Sequence, residues 1–291
     1  MLSPKERKMI ENITVIGAGT MGLGIGHVAA LAGYDVTLND ISMDILNQAM
    51  DAIKKNMEKG IERGKLDKAA MDAAMERIVL EADMEKAAKG ADLIIEAIIE
   101  QLDVKCELFQ KLDEICKAET IFASNTSALS ITELAAATPR TARFVGTHFF
   151  NPVHIMRLVE IVKGLETSDV TVNTIAEVIK RMGKESVIVN DSPGFATSRI
   201  SVIVGNEAFY MLQEGVASAE DIDKAIKLGL NYPMGPFELV DLVGLDIRLN
   251  VLKDLHKRLG EKFRPCPLLE KYVNAGRLGR KVGRGVYEYD K

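Results

Sequence analysis

A doubly wound α/β domain on a mostly parallel sheet, followed by an all-α C-terminal domain, is the fold class this sequence predicts. Three observations predict it. Short apolar runs bounded by turn residues alternate with segments of helical period through residue 190. The first run ends in a glycine-rich turn that opens a helix. Beyond residue 190 the strand-like runs stop and helical stretches take over. Alternating strands and helices require crossover connections, which build a parallel sheet covered on both faces.

In chain order, Ile13 to Ile16 form a short apolar run ending at Gly17, which fits a buried parallel strand. Met21 to Leu31 read as a helix stopped by Gly33, and "YDVTLND" reads as the second strand. Ser42 can cap a helix whose apolar positions are Ile45, Leu46, Ala49, Met50, Ile53 and Met57. "RIVLEA", "ADLIIEAI", "TIFASNT", "RFVGTHFF", "MRLVEIV" and "ESVIVN" continue the strand series, the last two separated by a helix over 168–182. The turn cluster "NDSPGF" then divides the chain, giving domains 1–190 and 191–291. "ATSRISVIVGNEAFYMLQEG" is a helix apolar nearly all round, so it must be buried on several sides, which could include a subunit interface. Ser218 and Asp221 have capping-box spacing. Pro236 suits the first turn of a further helix with Leu239, Val240 and Val243 on one side.

The 291 residues carry a net charge of −5, which argues against nucleic acid or an anionic membrane as the main partner. No apolar run is long enough to span a bilayer, and "MLSPKERKMIEN" lacks the features of a secretory signal, so a cytoplasmic location is expected. Cys106, Cys116 and Cys266 form neither a disulfide framework nor a metal-ligand pattern, and no metal is expected.

The glycine-rich turn is Gly17-Ala18-Gly19-Thr20-Met21-Gly22. With a strand before it and a helix after it, it meets the requirements of a Rossmann-type dinucleotide site. The first glycine permits the tight turn, the second lets a pyrophosphate approach the backbone, and the third lets the helix pack on the strand. Asp40 ends the second strand, where a carboxylate accepts hydrogen bonds from the adenosine ribose and repels a 2′-phosphate. No arginine stands in "NDISMD", so NAD is favoured over NADP.

His148 ends the strand "FVGTHFF", and ligands of open parallel sheets bind at the carboxyl ends of strands. From position alone it is equally a core histidine or a catalytic one. Glu160 lies within the apolar run "RLVEIV", where a buried carboxylate needs a partner. Paired with His148 it would fix the imidazole tautomer, as a general acid/base requires, although a structural ion pair fits as well. Ser127, in "ASNTSALSITEL", sits in no nucleophile elbow, and a hydrogen-bonding role is the most its position supports. His27 reads as packed, His256 as solvent-facing, and His154 is open.

Together, "GAGTMGLGIGHVAALAGYDV", "EAIIE", "ASNTSALSI", "GTHFFNPVHIMRLVEIV", "DSPGFATSRI", "NYPMGPFELVDLVGLD" and "GRKVGRGVYEYD" resemble the L-3-hydroxyacyl-CoA dehydrogenases, most of all the bacterial 3-hydroxybutyryl-CoA dehydrogenases. The resemblance covers nearly the whole chain. It implies NAD(H) as cofactor, a short-chain 3-hydroxyacyl-CoA thioester as substrate, and a homodimer formed through the helical domain. It makes His148 the catalytic base, Glu160 its partner and Ser127 the group that holds the substrate oxygen. It places Glu100, Lys105, Asn151 and Lys281 at the cofactor, and Asn56 and Arg63 at coenzyme A. Ser198 stands where the family often has asparagine, and is assigned to substrate with that departure. Asn206, further along the same helix, is a secondary candidate. Oxidation of a free hydroxy acid and non-catalytic dinucleotide binding are the alternative readings. The basic residues Lys54, Lys55, Lys59, Arg63 and Lys65 favour a phosphate-bearing thioester over the first, and a carboxylate beside His148 argues against the second.

Overall fold

A computed structural model describes residues 10–290. The reading of the amino terminus as lacking a signal falls chiefly on residues 1–9, outside the described residues. The chain divides into two compact units, Met1–Asp191 and Ser192–Lys291.

The first unit begins with β1 (Asn12–Ile16), α1 (Thr20–Leu31), β2 (Asp35–Asn39), α2 (Met43–Glu62), α3 (Lys68–Glu76) and β3 (Ile78–Leu80). It continues with α4 (Met84–Ala88), β4 (Leu93–Glu96), α5 (Leu102–Ile115), β5 (Ile121–Ser124), α6 (Ile131–Ala135) and β6 (Phe144–Phe149). It closes with β7 (Leu158–Lys163), α7 (Asp169–Arg181) and β8 (Glu185–Asn190). The eight strands lie in the order β3-β2-β1-β4-β5-β6-β7-β8. This is the doubly wound arrangement, with the order reversing between β1 and β4. Apolar side chains of the sheet, including Val15, Leu38, Ile95 and Val145, pack in one core with Ile25 of α1, Ile53 of α2 and Ile175 of α7. Ser42 caps α2 as expected, its side chain accepting from the Ile45 amide.

Every pairing is parallel except β6 with β7. The segment joining Phe149 to Leu158 contains no helix, and a parallel crossover needs a dozen or more residues. The chain therefore doubles back, which sets β6 and β7 in antiparallel register with His148 directly opposite Glu160. Opposed residues of an antiparallel pair project side by side from one face.

The second unit comprises α8 (Thr197–Gln213), α9 (Ala219–Gly229), α10 (Pro236–Val243), α11 (Leu245–Leu259) and α12 (Pro267–Asn274). Its core gathers Phe209, Phe237, Leu249, Leu252, Phe263 and Leu269. Two helices show where burial falls within the single chain. On α10 the buried residues are Pro236, Phe237, Val240 and Asp241, while Leu242 and Val243 are exposed. Asp241 is buried because it accepts hydrogen bonds from the Val286 and Tyr287 amides and the Tyr289 hydroxyl, which tie down the tail. On α8 burial is one-sided, through Val202, Gly205, Ala208 and Phe209, and Ile200 is exposed. Among the described residues no helix is long and apolar enough to cross a membrane.

Candidate active site

The dinucleotide turn sits where the strand order reverses. Gly17 adopts a φ of 95°, and a Cβ there would meet the Ala97 carbonyl oxygen at 2.7 Å. Gly22 is packed tighter still: a Cβ would fall 1.7 Å from the Gly17 oxygen. Around Gly19 the space is open, with no atom within 4 Å of an added Cβ. No side chain caps α1, so its first-turn N–H groups and positive dipole end face that space. The Asp40 carboxylate braces the turn, accepting from the Ala18 amide at 2.7 Å and from the Ile41 amide at 2.7 Å. A carboxylate offers about four acceptor sites, so capacity for ribose hydroxyls remains. The open cradle, uncapped helix and nearby carboxylate fit an NAD pyrophosphate and adenosine ribose.

His148 and Glu160 meet through the β6–β7 register. His148 Nδ1 lies 2.7 Å from Glu160 Oε2, with Glu160 fully buried and the imidazole nearly so. A carboxylate that accepts from Nδ1–H leaves Nε2 as the basic nitrogen. The ring of Phe150 packs against the imidazole at 4.4 Å between centroids.

Ser127 is exposed on the loop after β5 and Asn151 on the turn after β6. Glu100, at the end of the loop after β4, accepts from the Ser127 amide at 3.0 Å and from the Thr126 hydroxyl at 2.5 Å. Lys105 behaves differently from the expected cofactor contact. Its side chain is fully buried, and its ammonium lies 2.5 Å from Glu96 Oε1 and 3.3 Å from Glu100 Oε2. It holds Glu100 in place rather than presenting its charge at the surface. Glu96, which the sequence reading passed over, is the root of this network. It also accepts from the Ser124 hydroxyl at 2.6 Å and the Ile98 amide at 2.7 Å. Burial pushes its carboxyl up, against the pull of Lys105, Ser124 and the Ile98 amide. The signal was available: a glutamate closing the apolar run "LIIE" needs a partner for the same reason that Glu160 does.

Asn56 on α2 and Arg63, the residue that caps its C-terminus, line a groove of about 730 Å³ in the same unit. Lys59, Lys65, His154 and Lys184 join them there. Lys184 reaches under the loop after β6 and donates to the Val153 and Met156 carbonyls at 2.6 and 2.7 Å. His27 stacks on His154 with centroids 5.5 Å apart. Burial first, then His154 and Lys184, holds the His27 imidazole down at about 4. The unfolded chain therefore takes up a proton that the folded chain refuses, and stability falls as pH drops from 6.5 toward 4. The slope from this one group is about 1.4 kcal/mol per pH unit. In His27→Gln this contribution to the acid loss of stability should vanish, and calorimetry at several pH values reads it as a smaller fall in Tm. Parallel losses in both proteins would contradict the assignment.

Ser198 is half-buried in the first turn of α8, and Lys281 of the tail forms a salt bridge with Asp246 at 2.6 Å, both within the helical unit. Asn206 is a correction. It is buried, donating to the Arg264 carbonyl at 2.9 Å and accepting from the Cys266 amide at 2.8 Å. Its amide anchors a loop and is not offered to a ligand.

Residues 12–192 match the sequence pattern described as "3-hydroxyacyl-CoA dehydrogenase, NAD binding domain", and residues 194–289 match "3-hydroxyacyl-CoA dehydrogenase, C-terminal domain". The 3-hydroxybutyryl-CoA dehydrogenase of Bradyrhizobium diazoefficiens is 47% identical over 282 residues, spanning 97% of this chain and 96% of that protein. The mitochondrial hydroxyacyl-coenzyme A dehydrogenase of Homo sapiens is 42% identical over 288 residues, spanning 97% and 92%. A crystal structure of (S)-3-hydroxybutyryl-CoA dehydrogenase from Ralstonia eutropha superposes with a TM-score of 0.94 at 42% identity, covering 97% of this chain and all of that one. With both domain patterns matched in order and relatives this similar over nearly the full length, the chain belongs to the 3-hydroxyacyl-CoA dehydrogenase family.

Proposed function

We propose that this protein interconverts short-chain (S)-3-hydroxyacyl-CoA and 3-ketoacyl-CoA, with 3-hydroxybutyryl-CoA and acetoacetyl-CoA as the working pair and NAD(H) as cofactor. The observation that carries the reading is the His148–Glu160 pair, set at 2.7 Å in the unit that also holds a Rossmann-type dinucleotide cradle. In the oxidative direction, bound NAD would supply the acceptor for the hydride that leaves C3 of the substrate. His148 Nε2 takes the proton of the C3 hydroxyl, so the C–H and O–H bonds are lost together and a ketone results. Glu160 orients the imidazole and stabilises the imidazolium. Ser127 donates a hydrogen bond to the C3 oxygen. In the reductive direction the imidazolium returns the proton. Asp40 holds the adenosine ribose, and Glu100 and Asn151 face the nicotinamide end, with Lys105 acting through Glu100. The family resemblance assigns Lys281 to the cofactor and Ser198 to the substrate.

Asn56, Arg63 and the lysines of the α2 groove take the phosphates of coenzyme A. Arg63 is exposed, so its contribution is modest and screened by salt. Arg63→Ala should raise KM for acetoacetyl-CoA by about fivefold, leave kcat unchanged, and lose its effect at high ionic strength. Equal KM values at low salt would remove Arg63 from the site.

The protein acts in the cytoplasm as a homodimer. The free cysteines support the first. The exposed Leu242, Val243 and Ile247 of the helical unit support the second.

The test is direct. Protein, NADH and acetoacetyl-CoA are mixed and the loss of reduced-nicotinamide absorbance is followed, then repeated with NADPH and with a longer ketoacyl-CoA. Fast turnover with NADH and the four-carbon thioester is expected. Turnover only of a free ketoacid, or tight NADH binding without turnover of any thioester, would overturn the proposal.

A further inference from the structure

We propose that Asn125 is a positioning residue for the reaction, locking the strand end that carries His148 to the loop that carries Ser127. The proposal rests on the dehydrogenase reading above and adds a residue which that reading does not use.

The β5–β6 ladder ends at Ser124 opposite Gly146. Past that point β5 stops, because its chain turns: the Thr126 hydroxyl accepts from the Ala128 amide at 3.2 Å and the Leu129 amide at 2.9 Å. β6 continues to Phe149. A buried strand end whose neighbour has turned away leaves backbone donors without ladder partners. Asn125 supplies one with its side chain, as Oδ1 accepts from the Phe149 amide at 3.1 Å. Its own amide donates to the Glu96 carbonyl at 2.7 Å, continuing the ladder toward β4. Asn125 thus bridges the ends of β4, β5 and β6.

The two groups it joins are the ones the chemistry needs in register. Phe149 is the residue after His148, and Asn125 lies two residues before Ser127. On the far side, Ser127 is fixed by Glu100, and Glu100 by Lys105. The proton acceptor and the group that holds the substrate oxygen are therefore set by one continuous set of hydrogen bonds. Reacting geometry tolerates little slack, since a misplacement of about 1 Å can cost about 10²-fold in rate. Only the acceptor oxygen of Asn125 is used on Phe149, so an aspartate can replace it and an alanine cannot.

The test compares Asn125→Ala with Asn125→Asp, with Asn125→Ser in place of the alanine variant if that does not fold. Asn125→Ala is expected to lose kcat by about 10²-fold with KM for NADH unchanged. The primary isotope effect with deuterated NADH should rise as hydride transfer becomes limiting. Asn125→Asp should recover most of the rate. Hydrogen exchange at the Phe149 amide, read by NMR, should speed up in the alanine variant and stay slow in the aspartate variant. Wild-type kcat and isotope effect in the alanine variant, an aspartate variant as slow as alanine, or an unchanged Phe149 exchange rate would each overturn the proposal. Failure of the wild-type protein to reduce acetoacetyl-CoA would remove the function proposed above, while the exchange measurement would still judge the tether.

Discussion

His148→Gln is expected to lower kcat by about 10²–10⁴-fold, the usual contribution of a general acid/base, without weakening NADH binding. The imidazole can take the proton of the C3 hydroxyl at Nε2 and return it in the reverse direction. Glutamine keeps a donor for Glu160, whose carboxylate lies 2.7 Å from His148 Nδ1, so the variant does not strand a buried charge. It loses only the basic nitrogen. The dinucleotide cradle stands at the ends of β1 and β4, and its bracing contacts, Ala18 with Asp40 and Gly17 against Ala97, do not involve His148. NADH titration and thermal melting therefore serve as controls for folding and binding, and steady-state kinetics with acetoacetyl-CoA gives the loss. A purified, folded His148→Gln enzyme with undiminished kcat would exclude the acid/base role.

Lys105→Met should lower the stability of the first unit by about 3–5 kcal/mol, the usual result of removing one member of a buried ion pair. Both Lys105 and Glu96 have fully buried side chains. With the ammonium gone, Glu96 keeps the Ser124 hydroxyl and the Ile98 amide but has no compensating charge. For a unit of this size the expected fall in Tm is on the order of 10 °C. The pH dependence has a definite sign. Burial already raises the Glu96 carboxyl above its usual range, so the folded state binds a proton that the unfolded state has released. Stability then falls as pH rises through that window, and the Lys105→Met defect should be relieved on acidification. Glu96→Gln combined with Lys105→Met should regain most of the loss, because a neutral amide replaces the stranded carboxylate. Melting curves of the single and double variants across pH decide the matter. A double variant as unstable as Lys105→Met would show that the ion pair is not the cause. The lost tether to Glu100 should also loosen the Ser127 loop, so kcat should remain low in the double variant even where Tm recovers.

The sequence by itself determined the succession of strands in the first unit, the dinucleotide turn and the acidic residue after β2. Each of these is local. A strand declares itself in a short apolar run, a glycine turn in the residues that alone fit it, and a helix start in its cap. Placing Asn56 and Arg63 close together needed only the helical character of α2, which carries Asn56 and ends at the Arg63 cap. The sequence also marked Glu160 as a carboxylate in need of a partner, since a charge inside an apolar strand is costly wherever the strand lies.

The tertiary structure decided which partner each such group has. His148 meets Glu160 because the chain doubles back after β6 instead of crossing over, and the antiparallel register makes them opposite neighbours. Lys105 looks like a surface lysine on α5 until Glu96 and Glu100 are seen around it. Asn206 looks free until Arg264 and Cys266, far along the chain, occupy both ends of its amide. Asn125 gains its place only because β5 ends before β6 does. Hydrogen-bond partners of buried polar groups are set by how strands and loops from distant parts of the chain come together. Periodicity and turn chemistry report on a window of a few residues, so they identify a group that must be satisfied but not the group that satisfies it.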